Sequence, residues 1–108
     1  MDMNQMTERL REALTMAQQE GIRRQQQTVE PEHVLWALLA QEKGLAGSLL
    51  EKCGVSLEVA RARVAEAMDR LPRVTGAMEA NKVYVSQGLN EVLVEAFDRA
   101  KKMGDDYV

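Results

Sequence analysis

Residues 7–29 and 86–108 read as two copies of one helical segment. Shifted by 79 positions, Leu10 falls on Leu89, Glu12 on Glu91, Leu14 on Leu93, Ala17 on Ala96 and Val29 on Val108, while Thr7 meets Ser86 and Arg23 meets Lys102. Self-similarity at a fixed spacing points to stacked units, because each repeat is a small packing unit that buries its apolar face against a neighbour. The first copy continues through Glu30-Pro31-Glu32-His33 into an apolar run, whereas the second ends at Val108. The expected organisation is one full repeat over residues 1–71, a linker over 72–84 and the opening of a second repeat over 85–108, so that the domain is incomplete within that second repeat.

A chain of 108 residues supports one small domain with a modest core. Aromatic residues make up only 4%, so the core must be Leu, Val, Ala and Met, which suits closely packed thin helices. A net charge of −3 argues against a nucleic-acid partner, since phosphate binding wants a basic stripe. Arg23-Arg24 and Lys101-Lys102 read as helix-end charges complementing the dipole. The single cysteine, Cys53, allows no internal disulfide and suits a reducing compartment. No apolar run approaches a membrane span, and Met1-Asp2-Met3-Asn4-Gln5 resembles no leader, so the expected location is cytoplasmic with no membrane partner.

The patterning predicts an all-α fold of about five helices. Helix one covers about residues 5–24, with Leu10, Ala13, Leu14, Ala17 and Ile22 on one stripe and Thr7 or Asn4 as cap. Helix two starts at Glu30 with Pro31 in the first helical position and Glu32 in the first turn, and Gly44 ends it. Its run from Val34 to Ala40 is apolar nearly all round, which predicts a central buried helix with Leu35, Leu38 and Leu39 in the core. Helix three covers about residues 45–52, closed by Gly54. Ser56 caps helix four, which runs to about Arg70 with Leu57, Ala60, Val64, Ala67 and Met68 inward before Leu71-Pro72 stops it. Ser86 caps helix five, about residues 87–103, with Leu89, Val92, Leu93, Ala96 and Ala100 on one face and Gly104 closing it. Tyr84-Val85 and Tyr107-Val108 are too short to predict as strands.

Catalytic chemistry is thinly written. His33 and Cys53 are unique in the chain. A nucleophilic pair needs hydrogen-bond reach and an orienting third group, and the residues sit in different helix ends with no such group and no Gly-rich oxyanion loop. The plainer expectation is a histidine that ties down the start of helix two and a small buried thiol. One His and one Cys cannot close a tetrahedral metal shell, and no phosphate-cradling glycine motif is present, so neither a metal nor another cofactor is expected. Of the seven methionines, Met16 and Met68 hold core-like positions, while Met1, Met3 and Met6 lie at the terminus.

Several segments, taken together, resemble the amino-terminal domain of ClpB-type disaggregases. They are Met6-Thr7 before an amphipathic helix, Val29-Glu30-Pro31-Glu32-His33 with Leu35-Trp36-Ala37-Leu38-Leu39, Leu49 to Val55, Leu71-Pro72, Tyr84 to Leu89, and Gly104-Asp105-Asp106-Tyr107-Val108. The linker from Leu71-Pro72 to Tyr84-Val85-Ser86 is more like the ClpB branch than its protease-coupled relatives. The resemblance implies an all-helical pseudo-repeat domain, tethered ahead of the ATPase ring of a parent chaperone, that engages unfolded or aggregated polypeptide. It also implies roles in client handling for the positions matching Thr7 and Asp105, and an apolar groove at Leu89, Val92, Leu93 and Ala96. Glu95 stands on the same helix where some relatives carry an apolar residue. The expected function is therefore a non-catalytic client-binding module of weak affinity. The alternative within the family is an adaptor- or degron-binding domain of a protease-associated unfoldase. Helix five, with few later residues to cover it, is expected to expose Leu89, Val92 and Leu93 to a client or to a second copy of the chain.

Overall fold

A computed structural model of the chain describes residues 6–41, 44–73 and 84–104. The elements in order are α1 (Glu8–Arg23), β1 (Thr28–Val29), α2 (Pro31–Ala40), α3 (Leu45–Lys52), α4 (Leu57–Asp69), β2 (Tyr84–Val85) and α5 (Gln87–Lys102). Among the described residues the fold is all-α apart from two very short strands. The 79-residue offset seen in the sequence carries α1 onto α5 end for end. It also carries their caps: Thr7 Oγ1 accepts from the Leu10 amide at 3.2 Å, and Ser86 Oγ accepts from the Leu89 amide at 3.0 Å. Even the exits match, with Gln25 at φ 58° and Gly104 at φ 79° in the left-handed conformation that ends a helix.

Helix α2 is the hub, packing on α1, α3, α4 and α5. Alanines make this close approach possible: Ala13 and Ala17 of α1 and Ala37 of α2 are wholly buried. Around them the core gathers Val29, Val34, Leu89 and Leu93, with Leu14, Met16, Trp36 and Leu38 packed partly against it. Met68 at the end of α4 is fully buried, and Met6, a residue expected only at a loose terminus, is buried as well.

Several expectations change. Leu35 is 44% exposed, while Leu39 is 1% exposed, so α2 is amphipathic rather than buried all round. The reason is that α5 covers α2 only sparsely and leaves the Leu35 edge open. Helix α2 ends at Ala40, and Gly44 serves instead as the residue that starts α3. Cys53 is an exposed thiol, not a buried one, because it caps the end of α3 just before Gly54 turns the chain at φ 81°. Tyr84-Val85 does form a strand. It pairs in parallel with Thr28-Val29, Thr28 opposite Tyr84 and Val29 opposite Val85. The Tyr84 amide donates to the Gln27 carbonyl at 2.9 Å and the Ser86 amide to the Val29 carbonyl at 3.0 Å. Two residues cannot hold a strand alone, but the helices on either side bring these two together. The body of the expected linker, residues 74–83, lies outside the described residues, as do Asn4 and Tyr107-Val108.

Candidate functional site

The site is built from the two ends of the chain by its caps. Ser86 starts α5 so that Leu89 and Leu93, one turn apart, point into the core, where they are 1% and 5% exposed. This corrects the expectation that both stand open. At about 100° per residue, Val92 and Ala96 lie on the next edge of the same face. Val92 is 52% exposed there. Between α5 and α2 this edge opens a groove of about 460 Å³, with Leu89, Val92, Leu93 and Ala96 on one wall and Pro31, Leu35 and Leu38 on the other. Four of the six residues singled out from the sequence therefore meet in one place. Leu35 and Leu38, assigned to the core by periodicity, are its opposite wall.

Thr7 is exposed and does not reach this groove. It borders a neighbouring hollow with Leu10, Leu38, Gln41 and Leu45. Leu10 and Leu38 line both spaces, so Thr7 lies across a two-leucine partition from the groove. Asp105 lies outside the described residues. A third hollow, of about 480 Å³, opens on the far side of Leu89 and Leu93 against Leu14, Gln18 and Val85.

The α2 wall is held by a buried polar relay. The Glu30 amide donates to His33 Nδ1 at 2.9 Å, the place a Glu or Gln fills in a capping box. The ring proton therefore sits on Nε2, which donates to Gln26 Oε1 at 2.6 Å. The Gln26 amide in turn donates to the Met68 carbonyl at 2.7 Å and to that of Leu71 at 3.4 Å. His33 is 0% and Gln26 1% exposed. Burial holds the imidazole below its ordinary pKa against the opposing pull of Glu32 and Glu30. Both ring nitrogens are thus engaged, and neither is left to take a proton from Cys53. His33 does tie down the start of α2, as its position suggested, whereas Gln26 had looked like plain polar exit.

A second brace joins α1 to α4. Glu20 is nearly buried and accepts from Arg23 Nε at 2.6 Å and from Arg24 Nε at 2.8 Å. Arg24 also bonds Asp69. Burial works against the Glu20 carboxylate, but the bonds from Arg23 and Arg24 outweigh it and hold its pKa below the usual range. These arginines are therefore structural clamps and not merely helix-end charges.

Two like-capped helices about a shared α2, with an open apolar groove beside it, define an all-helical repeat domain. The family model of the Clp repeat (R) N-terminal domain matches residues 5–108, and the chain belongs to that family. It is 41% identical over 108 residues to the chaperone protein ClpB of Rhizobium meliloti and 37% identical over 109 residues to that of Bacillus anthracis, with all of this chain covered in both. The chain spans only 12% and 13% of those relatives' lengths. Among solved structures, the N-terminal domain of the ClpV1 ATPase from E. coli superposes with a TM-score of 0.86 at 22% identity, covering 97% of this chain and 62% of that one. The N-terminal domain of the chaperone ClpD from Arabidopsis thaliana superposes with a TM-score of 0.69 at 21% identity, covering 100% and 71%. At those identities the two structures bear on the fold alone.

Proposed function

We propose that this chain is a non-catalytic client-binding module of an ATP-dependent protein-disaggregating chaperone, and that the α2–α5 groove receives apolar segments of unfolded or aggregated polypeptide for delivery to an ATPase ring. The observation that carries the reading is the groove itself. Val92 and Leu35 face each other half-exposed across an apolar floor, and an exposed apolar patch on a small domain marks an interaction site. Likeness to ClpB chaperones over the whole chain supports the disaggregase branch over the adaptor-binding one. Shallow walls and few anchors make the binding weak, which suits a module that must release what it captures.

The test is titration of reduced, carboxymethylated lactalbumin into wild type, Val92→Ser and Thr7→Ser. Val92 is exposed enough that the fold survives its replacement. Loss of one anchor should weaken binding by about tenfold, some 1.4 kcal/mol, with the melting temperature unchanged. Thr7→Ser keeps the capping hydroxyl and removes only a methyl, so any loss of affinity there reports that methyl's contact with the client and not the helix start. Equal client affinity for wild type and Val92→Ser would rule the groove out.

A further inference from the structure

We propose that the His33 relay is an acid-sensitive latch on the start of α2, and so on the Pro31–Leu35 wall of the α2–α5 groove. The release belongs to the relay alone, while its effect on clients rests on the function proposed above.

The latch works by proton count. His33 Nδ1 accepts from the Glu30 amide at 2.9 Å, and Nε2 donates to Gln26 Oε1 at 2.6 Å. A neutral imidazole has one acceptor and one donor, and here both are spent. A second proton makes both nitrogens donors, so Nδ1–H then faces the amide hydrogen of Glu30 and the two must part. The ring is wholly buried, which leaves the new charge without water.

Among the described residues, charged groups from both neighbouring helices bear on the ring. Burial is the strongest influence and opposes the charge. Glu32 and Glu30 at the start of α2 favour it, Arg24 at the end of α1 opposes it, and Glu20 favours it weakly. From α4, Asp69 stands behind Arg24 and is bonded to it. A protonated ring is therefore drawn towards the carboxylates at the start of α2 and away from Gln26.

The response is local because the first turn of α2 has few other ties. Pro31 brings no amide hydrogen, and the His33 and Val34 amides reach the Glu30 carbonyl at 3.0 and 3.4 Å. Gln26 carries the link onward to the Met68 carbonyl at the end of α4. Losing the His33–Gln26 bond thus removes the polar connection between the start of α2 and the end of α4. The Glu20–Arg24–Asp69 brace does not open with it, because the Glu20 carboxyl titrates below the usual carboxylate range. Helices α1 and α4 stay joined while the latch opens. Pro31 and Leu35 line the groove, so displacing the first turn of α2 reshapes that wall.

NMR of the isotope-labelled 108-residue chain from about pH 7.5 to about pH 4.5 tests the latch. The ring nitrogens report the proton, and the amides of Glu30, Glu32 and Leu35 report the start of α2. These amides should shift with the ring's own midpoint, while those of Ala17 and Ala67 hold their positions. His33→Gln keeps an acceptor where a capping box uses one and does not titrate, so its α2 amides should stay flat over the same range. Affinity for reduced, carboxymethylated lactalbumin should fall about threefold to tenfold across the ring's midpoint in wild type and not in His33→Gln. Three results would each overturn the proposal: a ring that stays neutral until the whole domain unfolds, a ring that titrates without moving the start of α2, or an affinity that falls equally in His33→Gln. No client binding at about pH 7.5 would remove the client reading instead, and the ring-linked shifts would then decide the latch by themselves.

Discussion

His33 shows how one side chain can join three parts of a domain. Its ring accepts from the amide that opens α2 and donates to Gln26, which reaches the end of α4. Protonating Nδ1 would break the first of these bonds and leave a charge in a buried site. Because the folded state favours neutral imidazole, the stabilisation is complete above the ordinary histidine pKa of about 6.5 and is lost as pH falls below it. Melting temperature should therefore drop from about pH 7 to about pH 5 in wild type and stay flatter in His33→Gln. A second drop, below the ordinary carboxylate range, belongs to Glu20 as it loses its arginine partners. Equal pH profiles for wild type and His33→Gln above about pH 5 would remove His33 from this account. Gln25 offers a simpler check. It holds φ 58° where the repeat's second copy has Gly104 at φ 79°. Gln25→Gly should raise stability by about 1 kcal/mol, because a side chain in that conformation is strained. Cys53→Ala, at an exposed cap, should change stability by less than about 0.5 kcal/mol, and a larger loss in chemical denaturation would mean that the thiol packs.

The elements differ in how readily the sequence disclosed them. Helices α1 and α5 were legible because caps, stripe and exit all agree, and each is written twice. The bounds of α3 and α4 were legible from Gly54 and from Ser56 with Leu71-Pro72. Helix α2 was legible as a helix but not as a surface. An apolar run from Val34 to Ala40 does not say which side a neighbour leaves bare, and only the sparse contact with α5 decides that Leu35 is open and Leu39 shut. The order of cost follows: Leu39→Ala should lose about 2–5 kcal/mol, Leu38→Ala less, and Leu35→Ala least. Denaturant midpoints measure this, and an equal loss at all three would mean that α2 is buried all round. The strand pair was illegible for a different reason. Tyr84-Val85 and Thr28-Val29 lie more than fifty residues apart, and two-residue strands carry no pattern of their own.

At the scale of the whole molecule, the first repeat forms a braced body and α5 is attached to it only narrowly. Helix α5 is held by the short strand pair, by Leu89 and Leu93, and by a narrow contact with α2. Its amides should therefore exchange with solvent faster than those of α1 and α2, since local opening follows local contact. Uniform exchange across the three helices would contradict that weak attachment. The same looseness creates the groove, which is why the candidate site was only half visible beforehand. The α5 wall could be read from the repeat, but the α2 wall depended on what failed to cover it. The central claim is that clients enter between these walls. The most direct measurement follows backbone amide NMR shifts of the 108-residue chain at about 10 μM, where any self-pairing is slight, as reduced, carboxymethylated lactalbumin is added. Shifts gathered at Leu35, Leu38, Val92 and Ala96 are the predicted result. Shifts confined to the Cys53 end of α3, or absent from both α2 and α5, would contradict it.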